Sequence, residues 1–490
     1  MELSQLSEAE LRVWEAFPVG RTVDFRERHR EPADGGEGWG DERTVRAEVL
    51  RALLIEEPRQ TGETPVLRIA GARISGKLDL QYAEIDAPMH LWSCYFDDKL
   101  DLYGAQLRQL NLGRSVLPGL YGAGLRVDGS LRMTGCRVRG PVRLGGARIA
   151  GALFIDGARL GEAHVPLSEP VLALNRATID DDLQADGGLI AHGLVRLSGA
   201  VVAGNITFDY AVLSNPGGTA LHASNLSGGT DLHAMRLTAH GRVNLRGARI
   251  PGQLNFAYAR LANPGGMALR ASSVSAGELW FREAAPIEGR VTLRRAQVNL
   301  LHISPETWPQ VVRLDGLTYA TLDPHEPAER RLEVLERDMD GYVPYEYEQL
   351  TAAYRRIGDD AAARTVQLAK LRRHRGTLRW YAKTWGQVQD GTVGYGFRPA
   401  RAAIWLLSLL LTGSLAYGFH HPRPLKADEA PDFNPVFYTL DLMLPIIGFG
   451  QEERFAPDGV YQWLSYALIV TGWTLATTIA AGITRAINRQ

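Results

Sequence analysis

From Leu67 onward the apolar positions follow neither the spacing of a helix nor the strict alternation of an isolated strand. An apolar residue recurs about every five positions, usually with a small residue two places before it. In order, the units read GARI at 71–74, KLDL at 77–80, YAEI at 82–85, KLDL again at 99–102, YGAQL at 103–107, then LRMTGCRV, VRLGGARI and LFIDGARL. A period near five predicts a square solenoid of four short sides and about 20 residues per coil, with each apolar residue turned inward and each small residue at the corner beside it.

A longer repeat lies on top of the short one. The segments beginning at Gly193, Gly241 and Gly289 share the pattern GxVxLxxAxV/I, and NPGG recurs at 215–218 and 263–266, a turn repeated on one face. Region 65–322 resembles the pentapeptide-repeat family, although its units are degenerate and some run to six residues. The resemblance implies a right-handed β-helix, a rod on the order of 60 Å long at the usual strand spacing. The open ends of such a stack expose unpaired backbone and require covers. Residues 1–64 supply one, with helical patterns in SEAELRVWEAF and DERTVRAEVLRALLI; the helical region after 325 supplies the other.

Residues 323–400 read as a helical connector. Pro344 opens one helix, Gly358 ends it and Asp359 caps the next, a hairpin that looks like a single tetratricopeptide-type unit. A basic stretch follows, with Lys370, Arg372, Arg373, Arg375, Arg379 and Lys383 interleaved with Trp380, Tyr381 and Trp385. Basic residues among aromatics, next to an apolar segment, predict a lipid-headgroup anchor.

Residues 401–490 predict a membrane module. Ala402–Phe419 and Trp463–Ile483 are uncharged and apolar, and each has the length that spans a bilayer. Arginines flank their outer ends, and acidic residues dominate the loop between them. The positive-inside rule therefore puts both termini and the solenoid on the cytoplasmic side of the plasma (inner) membrane. Between the spans lies FNPVFYTLDLMLPIIGFGQ at 433–451, broken by Pro435 and Pro445 and too short to cross. It predicts a re-entrant or interfacial segment, and a re-entrant one needs partner subunits around its irregular backbone.

Here the sequence resembles pore-loop cation channels of the potassium-channel type: outer helix, pore helix, glycine-rich filter, inner helix. The filter-like residues are Ile446, Ile447, Gly448, Phe449, Gly450 and Gln451, with Asp441 as the polar residue of the pore helix and Gly472 as a bend in the inner helix. The resemblance implies backbone carbonyls aimed at one axis, a homo-oligomer, most naturally a tetramer, and monovalent cations as the permeant. Pro445 and Ile446 stand where the family has threonines, and Gln451 where it has aspartate, so the resemblance does not extend to potassium selectivity. Thr392-Val393-Gly394-Tyr395-Gly396 matches the filter motif better but precedes the first span, and reads as a bend into the bilayer.

Composition narrows the function further. Charge is balanced, with 54 basic and 55 acidic residues, which gives no ground for nucleic-acid binding. Two cysteines, Cys94 and Cys136, exclude a disulfide framework and a four-cysteine metal site. The amphipathic N-terminus lacks the apolar run of a secretory leader. Outward arginines (Arg126, Arg132, Arg137, Arg143, Arg148, Arg242, Arg246 and Arg249) argue against an acidic DNA-mimicking face. Asp180-Asp181-Asp182 reads as a solvated turn and His420-His421 as an interfacial pair. No P-loop, dinucleotide fingerprint, zinc motif or serine-nucleophile motif occurs, so no enzyme and no cofactor is expected. Three readings remain: an oligomeric channel-like membrane protein whose solenoid senses or binds a cytosolic partner, a non-conducting membrane-anchored scaffold, and a membrane-associated enzyme whose site carries no recognised motif.

Overall fold

The computed structural model describes residues 3–27, 31–56, 62–377, 399–426, 431–444 and 448–487, with the backbone alone for 3, 377, 399–402 and 478–487. The chain divides into two compact units, Met1–Ala353 and Tyr354–Gln490.

The five-residue period of the first unit becomes a β-solenoid of about 12 coils, consistent with a pentapeptide-repeat fold. One coil shows the plan. Its four short strands are Gln106–Leu107, Leu110–Asn111, Val116–Leu117 and Leu120–Tyr121. Each pairs in parallel with its counterparts on neighbouring coils: Leu110 lies between Met89 and Leu131, and Leu120 between Leu100 and Val142. Stacking in register lets each coil satisfy its neighbour's peptide groups, which no two-residue strand could do alone. The inward residues form a continuous column, in which Leu110, Leu131 and Leu153 are fully buried one above the other.

The longer repeat is two coils. The strand Val212–His222 and the strand Arg260–Arg270, which carry the two NPGG turns, both pair with the intervening strand Thr238–Asn244. In each turn the asparagine closes a ring: Asn215 Nδ2 donates to the Thr219 carbonyl and Asn263 Nδ2 to the Met267 carbonyl, both at 2.8 Å. Gly241 packs on the first of these turns. It has φ +124°, and a Cβ there would lie 2.5 Å from the Asn215 carbonyl oxygen. Only glycine fits, which explains its recurrence at 193, 241 and 289.

Both ends of the stack are covered. At the first, α1 (Glu8–Ala16) begins with a capping box between Ser7 and Glu10, and α2 (Ala47–Ile55) buries Val49, Leu50 and Leu53. The helix expected from Asp41 starts only at Ala47. Thr44–Arg46 is instead a strand paired with Arg73–Ser75, and Val23–Asp24 pairs with Ile69–Ala70. The terminal coil presents an open backbone edge, and satisfying it outweighs the helical preference of the three residues. At the other end lies α3 (Ala328–Glu336), whose buried Arg331 donates to the carbonyls of Ile303 and Pro324, both at 2.6 Å.

The helical hairpin follows the expected boundaries. Helix α4 (Pro344–Arg356) ends before Gly358 at φ +81°, and α5 (Asp360–Thr377) is capped by Asp359, whose side chain accepts from Ala362 N at 2.9 Å.

In the second unit, α6 (Pro399–Phe419), α7 (Pro435–Met443) and α8 (Val460–Ile487) pack around Tyr417, Tyr438, Leu442, Met443, Phe455 and Leu468. Among the described residues no helix is long and apolar enough to cross a membrane. The segments expected as spans are helices. Their outer side chains are apolar all the same: Ile404, Leu407, Leu411 and Leu415 on α6, and Val460, Trp463, Val470 and Trp473 on α8, are exposed.

Candidate functional site: the loop after helix α7

Asn434 and Pro435 start α7 by ordinary capping chemistry. The Asn434 side-chain oxygen accepts from Val436 N at 3.0 Å and Phe437 N at 3.3 Å, and proline at the first turn gives up an amide that would have had no helical partner. The helix buries Tyr438, Leu442 and Met443 and ends at Leu444.

Two small residues bring the neighbouring helices onto it. A Cβ on Gly472 of α8 would lie 2.8 Å from Met443 Cα, and one on Gly413 of α6 would lie 2.4 Å from Thr439 Cγ2. Gly472 therefore acts as a point of close approach within a helix that runs on through it from Val460. Tyr417 adds a polar tie, donating from its hydroxyl to the Tyr461 carbonyl at 3.0 Å.

The loop that follows is organised by Asp441. This residue is 7 % exposed, and its carboxylate accepts from the backbone amides of Phe449, of Gln451 at 2.6 Å and of Glu452 at 3.1 Å. Hydrogen bonds to an ionised acceptor are the strong kind, so one side chain sets the path of four residues. Gly450 between them sits at φ +77°, where a side chain is strained. That left-handed residue lets amides on both sides of it turn toward one carboxylate.

Gln451 closes the segment on itself. Its side-chain nitrogen donates to the Asp432 carbonyl at 3.2 Å and its side-chain oxygen accepts from Asn434 N, also at 3.2 Å. An aspartate there would have no donor for the first of these bonds. One of the residues that depart from the filter pattern, Gln451, thus joins the start of the segment to its end. Sequence reasoning missed this bridge and the Asn434 cap, although Asn-Pro before an apolar run was a legible signal for the latter.

Gly448, Phe449 and Gly450 are exposed, and among the described residues no donor reaches their carbonyl oxygens. Phe449 rests its ring 5.1 Å from that of Phe437. Ile446 and Ile447 lie outside the described residues, as do Pro445, the 392–396 segment, Arg379 and Lys383. Helix α5 carries Lys370, Arg372, Arg373 and Arg375 in its last turns. The structure thus unites Asp441, Gly448, Phe449, Gly450, Gln451 and Gly472 in one helical unit.

Other candidates have structural explanations. Cys94 and Cys136 are fully buried beside corners of the solenoid, and burial pushes both thiols up to about 12. Asp182 accepts from Asn205 N on the neighbouring coil at 2.8 Å. His420 stacks on Tyr461 at 4.7 Å. Among the described residues no group of His, Cys, Asp or Glu could hold a metal ion. No family model, curated protein or solved structure matches the chain.

Proposed function

We propose that the chain is an oligomeric, channel-like membrane protein in which the segment after α7 forms a carbonyl-lined path for monovalent cations, and the solenoid serves as a cytosolic sensor or docking rod. The observation behind this reading is how residues 448–451 are held. The amides of Phe449 and Gln451 are drawn to Asp441, while residues 448–450 are exposed and their carbonyls accept no hydrogen bond among the described residues. A peptide tied down through alternate amides and with its acceptors free offers the ligands that replace the hydration shell of a cation.

One copy provides only one wall of such a path, so the reading requires a ring of copies, with four the natural number. The exposed apolar sides of α6 and α8 favour lipid around that ring, and Lys370, Arg372, Arg373 and Arg375 suit its headgroups. Purified full-length protein in liposomes tests this. Cation flux is expected, with Gly448→Val and Gly450→Val losing it. Equal flux from all three proteins, or none from the parent, overturns the assignment.

A second reading, a non-conducting membrane-anchored scaffold, is favoured by Pro445 and Ile446, which remove the hydroxyl site of a selective filter. It expects the same membrane association without flux.

A further inference from the structure

One face of the solenoid carries cations with no carboxylate beside them. On four successive strands Arg196, His222, Asn244 and Arg270 stand in register, all pointing outward, while Val195, Leu221, Val243 and Leu269 between them point into the core. Arg242 sits two residues before Asn244 on the same face. None of Arg196, Arg242 and Arg270 lies within ion-pair distance of a carboxylate among the described residues, whereas Arg143 further along the same column is paired with Glu169. The first acids toward the other end are Asp315 and Asp340, which engage Arg294 and Arg313.

The polar groups here are also incompletely satisfied. The Nε atoms of Arg196 and Arg242 are buried and have no hydrogen-bond partner. Arg294 and Arg313 share this feature but have acidic neighbours; Arg196 and Arg242 have none among the described residues, so an anion from outside would be met at their terminal nitrogens. His222 is held toward its neutral form by burial first and then by the positive charge of Arg196, Arg242 and Arg270. Its Nε2 lies 2.8 Å from Ser224 Oγ, which Asn244 Nδ2 also reaches at 3.3 Å. Hydroxyl, amide and imidazole thus form a polar floor beneath the arginines.

We infer that this face binds a ligand carrying two or more phosphate groups, gripped by Arg196, Arg242 and Arg270 over the His222–Asn244 floor. Guanidinium forks match phosphate oxygens in pairs. Arg196 and Arg270 are three strand spacings apart, roughly 14 Å, with Arg242 between them. That span suits a short chain of phosphoryl groups better than a single monovalent carboxylate. The source is either a soluble oligophosphate or the headgroup of an anionic phospholipid.

The test uses the purified full-length protein, with inorganic phosphate and tripolyphosphate as soluble probes and two kinds of vesicle, one of phosphatidylcholine alone and one containing a polyphosphorylated phosphoinositide. Calorimetry at physiological salt is expected to show saturable binding of tripolyphosphate or of the phosphoinositide vesicles, with the competition between the two identifying the source. The Arg196→Gln/Arg242→Gln/Arg270→Gln variant is expected to lose at least about tenfold in affinity, while Arg126→Gln/Arg148→Gln on another side of the rod keeps parental affinity. Circular dichroism establishes that both variants are folded; should the triple variant fail to fold, Arg242→Gln alone replaces it, with a smaller loss expected. Absence of binding to either probe class, or equal binding by the two sets of variants, overturns the assignment.

Discussion

Asp441 illustrates how one side chain can set the course of a loop. Three amides converge on its carboxylate, so replacing it with asparagine removes the charge while keeping the shape. A charged hydrogen bond contributes about 1.5–3 kcal/mol, and Asp441→Asn is expected to accelerate amide hydrogen exchange at Phe449, Gln451 and Glu452 while leaving the solenoid amides unchanged. Unaltered exchange at those three positions would contradict the role given to it. Glu346 makes a different residue-level case. It is 5 % exposed, has Asp338 as its neighbouring acid, and borders a small apolar cavity of about 40 Å³ together with Trp308, Leu314 and Leu335. Burial, and then the neighbouring Asp338, push its carboxyl up to about 9. The folded state therefore holds a proton that the unfolded chain releases near the ordinary glutamate value. Between roughly pH 4.5 and 9, stability falls as pH rises, because the folded state binds more protons than the unfolded one. Glu346→Gln is expected to flatten that slope in denaturant titrations across the window; an unchanged slope would show that the carboxyl ionises without penalty.

The elements obey different rules in the two units. A solenoid strand of two residues has no stability of its own and exists through its neighbours above and below. Leu131 touches both Leu110 and Leu153 in the column, so Leu131→Ala is expected to destabilise the first unit by about 2–5 kcal/mol, measured by the shift of the urea midpoint. The helices of the second unit are limited by how closely they approach. Gly472→Leu would force a side chain against Met443 backbone, and overpacking of this kind costs about 1–3 kcal/mol. The expected readout is a lower melting temperature for the second unit, with the first unit's transition unmoved. The strand Thr44–Arg46, read from the sequence as helix, belongs to the same lesson. Its residues accept either conformation, and the open edge of the first coil decides.

At the scale of the whole molecule, the inward column of the solenoid is continuous from its first cover to its last, and the units divide after it. A fragment of residues 1–358 is accordingly expected to unfold in a single cooperative β-rich transition by circular dichroism; an aggregated or unfolded fragment would show that the second unit is needed to complete it. The sequence by itself determined the solenoid, its two-coil period and its helical covers. Inward apolar residues, corner residues and obligatory glycines are local demands repeated a dozen times, so the pattern survives degeneracy in any one unit. It also marked the two apolar helices and the interrupted segment between them. Only the tertiary structure decided that Asp441 gathers the amides of residues eight to eleven positions away, that Gln451 ties the segment's ends, that Gly472 serves close packing, and that Arg196, Arg242 and Arg270 share one face with His222. Each of these depends on distance in space between residues far apart in the chain. Chain folding sets that distance, and no periodicity of the sequence records it.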